Sequence, residues 1–550
     1  MYKNTIKKSL AIVFAIALCA NASAQIAHSV YTSNNGNFQS FVNVYNSVTN
    51  ETWFVATDNN SNNNRVVVMK MDASPFMPSL TAINAFTLMP PEAGQIYLKS
   101  GFFDPEGNIF AYGRIEVNGV PTKGVIMRIV LTSGNVTSTS LKFNTLTAPV
   151  EDACWAYASN GTAPNDPVCY GIIFGNKFAK VSNTTAANPF SICAAVECTA
   201  AGRTLSSVLY DNLLKGFTVS GYGNNGVFYD YIFNHNNDCN NTTLSIGGII
   251  GGSRDFSSLS LNINSTPNKI VYTGIWNFIM VQPVNIFGSD GLWIIDNNSP
   301  STSAVYRFPM GNVSVIDAKY VNYGNYKYLY VLGNYTGLDN NWQYVSKRYL
   351  LKIDINNNIY DTRLLDEGYL NNLEYDYYNA VMRISGAAPN GDSYFVSEVD
   401  LFNAYYCDDV ITLSKAVFPP SSTGFNGLSL IYPLPTPSFN TMKMTMTAPY
   451  SNTNAAWGDC PFGRRAPERP NALTTNYDKQ IEVINKEFVI SNFEGNCSYK
   501  IFDVLGRAIQ QGNTQNGVVN NINISTAGIY TINVTDEKNN NVSSKAVIGK

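Results

Sequence analysis

Between Thr52 and Phe418 the chain keeps returning to one pattern: an alternating apolar strand, a polar loop, a second apolar strand ending near Asp or Ser, then a turn. Segments such as TWFVATDNN from Thr52, NIFAYGRIEVNG from Asn108, KGFTVSGYG from Lys215 and YLYVLGNYTG from Tyr328 show it plainly. The units anchor near residues 53, 109, 169, 216, 270, 328 and 394, a mean step of about 57 residues. Runs rich in Val, Ile, Tyr and Phe between Asn/Gly/Asp clusters are strand and turn signals, and no strong amphipathic helix interrupts them. A unit of this size holds a four-stranded sheet with generous loops. One such sheet cannot bury both of its faces, so the units must stack around an axis. The expectation is an all-β chain: a β-propeller of about seven blades over residues 25–435, with six or eight open, followed by a small C-terminal β-sandwich. A series of sandwiches is the competing architecture.

Composition narrows the function classes. The 550-residue chain carries 36 Lys+Arg against 39 Asp+Glu, so there is no basic excess to neutralise phosphates, and nucleic acid is not an expected partner. A hydrophobic content of 45% can bury large cores, which argues against disorder. Two His in the whole chain exclude mechanisms that need several imidazoles.

Residues 1–24 read as a signal peptide. Lys3, Lys7 and Lys8 precede the apolar run Leu10 to Leu18, and Ala22-Ser23-Ala24 places cleavage before Gln25. That run is too short to span a bilayer, and no other segment reads as a transmembrane helix. Beyond Cys19 there are eight cysteines, an even count that favours disulfides in an exported chain. The candidate pairs are Cys154–Cys169 and Cys193–Cys198, with Cys407–Cys460 a further possibility. From 436 to 477 dense Pro, including Pro437, Pro449, Pro461 and Pro470, reads as a linker or wrapped connection.

Residues 478–550 return to a compact β pattern. The segment IFDVLGR ends at Arg507 with Gly506 in a turn, Gly528-Ile529-Tyr530 makes a turn and strand, and Lys545-Ala546-Val547-Ile548 runs up to Lys550. In that order these features resemble the type A C-terminal sorting domain of cargo of the Bacteroidota type IX secretion system. The resemblance covers about 70 residues; a Tyr-Pro-Asn-Pro-like opening is replaced by Ile481-Glu482-Val483-Ile484-Asn485. It implies that Gly506, Gly528, Tyr530, Lys545 and Lys550 belong to a sorting signal read by the secretion machinery. It also implies that the terminal domain is removed and the protein is released or anchored at the outer cell surface.

The body offers little chemistry. There is no usable Ser/His/Asp set and no arginine cluster, and the acids Asp376, Glu398, Asp400, Asp408 and Asp409 show no pairing in their spacing and read as solvated loop residues. No metal or cofactor is expected. Aromatic loops are the better signal: Tyr375, Tyr377, Tyr378, Tyr405, Tyr406 and Trp342, flanked by Asn and Asp, suit sugar rings or protein surfaces. The leading functional reading is therefore a non-catalytic binding or adhesion protein. A secreted polysaccharide hydrolase on the same scaffold, its acids assembled only by the fold, is the alternative; an outer-membrane barrel is weaker.

Overall fold

The computed structural model describes residues 28–548 with interruptions, the longest at 72–79, 132–140, 158–167, 234–252, 400–408, 432–442 and 458–479. It divides into two compact units, Met1–Gly463 and Arg464–Lys550. No helix among the described residues is long and apolar enough to cross a membrane.

Among the described residues the first unit holds seven antiparallel sheets in chain order. Sheet one begins with Asn37–Asn46, sheet two with Gln95–Phe103, sheet three with Val150–Tyr157 and sheet four with Arg203–Asp211. Sheets six and seven begin with Gly311–Tyr323 and Leu370–Asp376, and sheet five with Lys269–Gly274, preceded by the two-residue strand Asn262–Ile263 that pairs the other end of the same second strand. These are the inner strands. In six sheets the next three strands follow by hairpins; in sheet seven the fourth strand is His28–Thr32, brought from the other end of the chain.

Neighbouring sheets bury their faces against one another. Sheets one and two enclose Val42, Trp53, Val68, Leu98 and Met127; sheets two and three Phe110, Tyr112, Tyr170 and Ile172; sheets five and six Leu292, Val331, Tyr349 and Leu351. The middle strands are covered on both sides, which is why Val168–Phe174 is buried at every position and reads as a continuous apolar run. The hydrogen bond from Asn43 N to Asn372 Oδ1 at 3.2 Å links sheet seven back to sheet one and closes the ring. This is a β-propeller.

All seven inner strands slip register at one point: six near their starts or middles, between Phe38 and Ser40, Leu98 and Ser100, Val150 and Asp152, Leu205 and Ser207, Val315 and Asp317, and Leu370 and Asn372, and Lys269–Gly274 at its far end, between Tyr272 and Gly274. Each slip is a bulge that re-aims the residue after it. A glycine of the second strand faces the bulge in four sheets: Gly113, Gly221, Gly333 and Gly386. A Cβ on Gly113 would stand 1.9 Å from Tyr97 O, and one on Gly333 1.9 Å from Ser314 O. The bulged backbone occupies the space a side chain would need.

The stretch expected as a linker is partly built into the ring. From residue 409 the chain runs backward around the body, giving a fifth, outer strand to one sheet after another. Asp409–Val410 joins sheet six, Ser414–Val417 sheet five, Ser421–Asn426 sheet four and Leu430–Ile431 sheet three. Lys443–Met446 then joins sheet one and Thr453–Trp457 sheet seven, both within 436–477. Proline does not forbid this, because an outermost strand needs only one of its edges.

The second unit pairs a three-stranded sheet, built on Gln480–Ile484 and Glu487–Ser491, with a four-stranded one, built on Ala508–Thr514, Cys497–Phe502, Gly528–Thr535 and Asn541–Ile548. Phe488, Ile490, Tyr499, Ile501, Tyr530 and Ile532 share its core. Burial along Cys497–Phe502 alternates, so that sheet has one wet face, unlike the middle strands of the first unit.

A candidate ligand-binding face at the end of a polar axis

The residues placed by the bulges make polar links across the ring. Ser40 Oγ accepts from Leu98 N at 2.8 Å, Asp152 Oδ2 from Val208 N at 3.0 Å, and Ser207 Oγ from Ile270 N at 3.2 Å. Asp317 Oδ2 accepts from Leu373 N at 2.9 Å, and the Asn43–Asn372 bond above is the same device. The two remaining junctions use other strands: Tyr112 OH donates to Asp152 Oδ1 at 3.0 Å, and Asp290 Oδ2 accepts from Val313 N at 3.1 Å.

Charge is concentrated on the same inner strands. Lys269 Nζ donates to Asp152 Oδ1 at 2.8 Å, and Ser207 Oγ donates to Asp152 Oδ2 at 2.6 Å. Burial raises the Asp152 carboxyl, but the Lys269 charge and the hydrogen bonds from Lys269, Ser207 and Val208 N outweigh it and hold it below the usual range. Burial lowers the Lys269 amine, yet Asp152 and Asp317 bring it above its ordinary value. Lys319 Nζ donates to Glu374 Oε2 at 2.8 Å. Burial keeps the Asp317 and Glu374 carboxyls raised despite their lysine neighbours. Each of these five carboxylates and amines is thus engaged with a partner on another sheet.

At the end of the axis where inner strands pass into second strands, tyrosines form a continuous cluster. Tyr326 stacks on Tyr328 with centroids 5.8 Å apart, Tyr328 meets Tyr330 at 6.2 Å, and Tyr330 meets Tyr375 at 6.4 Å. Tyr375 is 4.9 Å from Tyr377 and 6.5 Å from Tyr323; Tyr377 is 6.3 Å from Tyr45. Tyr45 OH accepts from Tyr378 N at 3.1 Å. Beneath the rings Lys352 Nζ lies 4.1 Å from the Tyr328 centroid. Asp376 is bound there to Arg383 at 2.6 Å, with both side chains buried, so it is not the solvated loop acid its spacing suggested.

The structure sorts the six aromatic candidates. Tyr375, Tyr377 and Tyr378 belong to this cluster, but Tyr375 is only 3% exposed and packs inside it, while Tyr378 is 71% exposed and Tyr377 partly so. Burial raises the Tyr375 phenol to about 12. Trp342 is elsewhere. It follows the far end of the strand Tyr326–Leu338, about 40 Å away at strand rise. There it is held at φ 61 by a turn in which Asp339 O accepts from Trp342 N. Tyr405 and Tyr406 lie outside the described residues. Sequence reading missed Tyr323, Tyr326 and Tyr328, which stand as an i, i+3, i+5 series across one hairpin and looked like ordinary strand residues.

The cysteine pairings need correction. Cys154 faces Gly171 and Cys169 faces Ala156 in the register, so the two are diagonal neighbours and the structure does not join them. Diagonal Cβ atoms lie about 7 Å apart, against the ~4 Å a disulfide needs. Cys193 and Cys198 share the strand Phe190–Cys198, where five residues of extension separate them by about 16 Å. Cys407 and Cys460 lie outside the described residues, as do the expected signal peptide at 1–24, Gly506 and Lys550. Of the sorting candidates, Gly528 opens the strand Gly528–Thr535, Tyr530 is buried in the core of the second unit, and Lys545 lies on Asn541–Ile548.

No family model matches the chain, and no curated protein is similar to it. Among solved structures it is similar to the β-propeller domain of Cps50 (Swd1) from Myceliophteria thermophila, at 11% identity and a TM-score of 0.39, over 68% of this chain and 100% of that one. It is also similar to the Dos1 propeller, at 9% identity and a TM-score of 0.34, over 67% and 93%. A third likeness is to the extracellular domain of the putative one component system BT4673 from B. thetaiotaomicron, at 8% identity and a TM-score of 0.17, over 96% and 99%. These scores carry no argument about function; the propeller assignment rests on the strand order.

Proposed function

We propose that this chain is an exported, non-catalytic binding protein that meets its ligand at the tyrosine cluster. The observation that carries the reading is the contrast between the charged residues along the axis and the tyrosines at one of its ends. The charged groups of the axis are engaged with one another, as in Asp152–Lys269 and Glu374–Lys319, whereas Tyr377, Tyr378 and Tyr326 present their rings to solvent. Tyrosine supplies broad contact area at low conformational cost, with a hydroxyl to satisfy at its tip. Changing Tyr377 and Tyr378 together to Ala should abolish surface or glycan-array binding by the folded chain; unchanged binding refutes the site.

The route belongs to the same proposal. The second unit acts as a type IX sorting domain, recognised by that machinery and removed on the way to a secreted or surface-anchored form. Its support is the ordered set of features quoted from the sequence. The DVLGR segment also closes on itself: Asp503 N donates to Arg507 O at 3.0 Å, and the Arg507 guanidinium returns to Asp503 Oδ2 at 2.7 Å. Mass spectrometry of protein recovered from the cell surface should show the last 70 or so residues missing; a form ending at Lys550 counts against removal.

A further inference from the structure

The charge arrangement around the tyrosine cluster bears on what it holds, granted the reading above that it is a binding face. Four ionised groups approach the rings in pairs. Lys319 and Glu374, beside Tyr377, neutralise each other at 2.8 Å; Asp376 and Arg383, beneath Tyr378, do so at 2.6 Å. The fifth, Lys352, is buried and roofed by Tyr328 and Tyr330 at 4.1 and 5.4 Å. What reaches solvent is mainly aromatic and hydroxylic, Tyr323, Tyr326 (54% exposed), Tyr377 and Tyr378, with the partly exposed Lys319 held by Glu374 and the exposed Lys327 set between Tyr326 and Tyr328 on the strand. An anionic or cationic ligand would give up hydration without meeting a counter-ion from these pairs, a cost that nothing here offsets. A neutral, ring-shaped ligand with apolar C–H faces and a rim of hydroxyls gives up least, because its faces meet the rings and its hydroxyls meet the phenols.

We propose that the cluster binds an uncharged oligosaccharide, pyranose faces stacking on Tyr326 and Tyr378, with Tyr323 and Tyr377 bonding sugar hydroxyls. The rings behind them are fixed for this. Tyr328 and Tyr330 are pinned over Lys352, and Tyr45 OH holds the Tyr378 backbone while donating to Asn50 Oδ1 at 2.8 Å. The platform is therefore formed before the ligand arrives, which spares the ordering cost of binding.

The test is calorimetric titration of the full chain with hexasaccharides of glucan, mannan, xylan and chitin, alongside an anionic polygalacturonate oligomer and a heparin fragment. The expected result is binding by at least one neutral sugar, unchanged between 0.05 and about 0.5 M NaCl because no ion pair forms. Tyr326→Ala and Tyr378→Ala should each weaken it about tenfold, and Tyr326→Trp should preserve it. These side chains are exposed, so the variants fold, which thermal melts confirm independently. Binding confined to the anionic oligomers, with salt dependence, overturns the ligand class; so does a panel with no neutral binder. If a different ligand found on the cell surface still depends on Tyr377 and Tyr378, the binding face stands and only the sugar assignment falls. If neither pair of tyrosines matters to any ligand, both fall.

Discussion

Replacing Lys269 by Met removes one charge from the centre of the ring while keeping the aliphatic stem, so no cavity forms. In the native chain Lys269 Nζ and Asp152 Oδ1 are 2.8 Å apart, and both side chains are about nine-tenths buried. At an effective dielectric near 20, the attraction is about 4–6 kcal/mol. Stranding a buried partner typically costs about 3–5 kcal/mol. Here Tyr112, Ser207 and Val208 N still donate to the Asp152 carboxylate at 3.0, 2.6 and 3.0 Å, which favours the lower end, about 3 kcal/mol. The loss must depend on pH. Without Lys269, burial dominates the Asp152 environment, and its carboxyl takes up a proton more readily in the folded variant. The variant's deficit at pH 7 should therefore shrink to about 1 kcal/mol at pH 3. Urea unfolding of the native chain and variant at both pH values measures it. Adding Asp152→Asn to Lys269→Met should recover part of the loss, since the two residues touch. A deficit below about 1 kcal/mol at pH 7, or one equal at both pH values, refutes the claim that this pair is a coupled buried charge.

Three further outcomes follow from the geometry. Gly113→Ala drives a Cβ to 1.9 Å from Tyr97 O and should cost about 3 kcal/mol, whereas Gly107→Ala, in an open turn at φ 78, should cost about 1 kcal/mol from backbone strain alone; melting temperatures that rank the other way exclude the bulge argument. Asp317 and Glu374 carry raised carboxyls, so the fold binds their protons more tightly than the unfolded chain, and stability should rise as pH falls from neutral toward about 4; below that the lowered Asp152 takes its proton, and stability should fall. A melting curve that declines steadily from pH 7 to 5, or a rise that Asp317→Asn leaves intact, contradicts this. Alkylation of the unfolded chain without reductant should label both Cys154 and Cys169; protection of the two together would show a bridge the register does not permit.

The parts of the fold that could be read from the sequence are those with one dominant physical cause. Strands buried on both faces are continuous apolar runs, and the unit anchors at 53, 109, 169, 216 and 328 all fall on second strands. The anchor at 270 fell on an inner strand and the one at 394 on a third strand, because apolar content marks burial and not position within a sheet. Inner strands were harder to recognise: in VIDAKY the bulge before Asp317 breaks the two-residue period, and Lys319 looks like a solvent residue. A usable signal was present in the glycine opposite four of the bulges, in AYGR, VSGY, VLGN and ISGA. The backward-running strands from 409 to 457 gave none, since a strand of two to six residues paired along one edge needs neither alternation nor apolar content. The proposed face was half legible. Tyr377 and Tyr378 stood out by crowding in sequence, but Tyr323 and Tyr326 join them only through a hairpin about fifty residues earlier.

His28–Thr32 is clasped on both sides, by Ser393–Val399 and by Thr453–Trp457. This stretch leaves the ribosome early yet is among the last to find its neighbours. Its first neighbour, Ser393–Val399, is made about 360 residues later and closes the circle, and the second, Thr453–Trp457, about 420 residues later, so any product cut short before Thr453 lacks one half of its fastening.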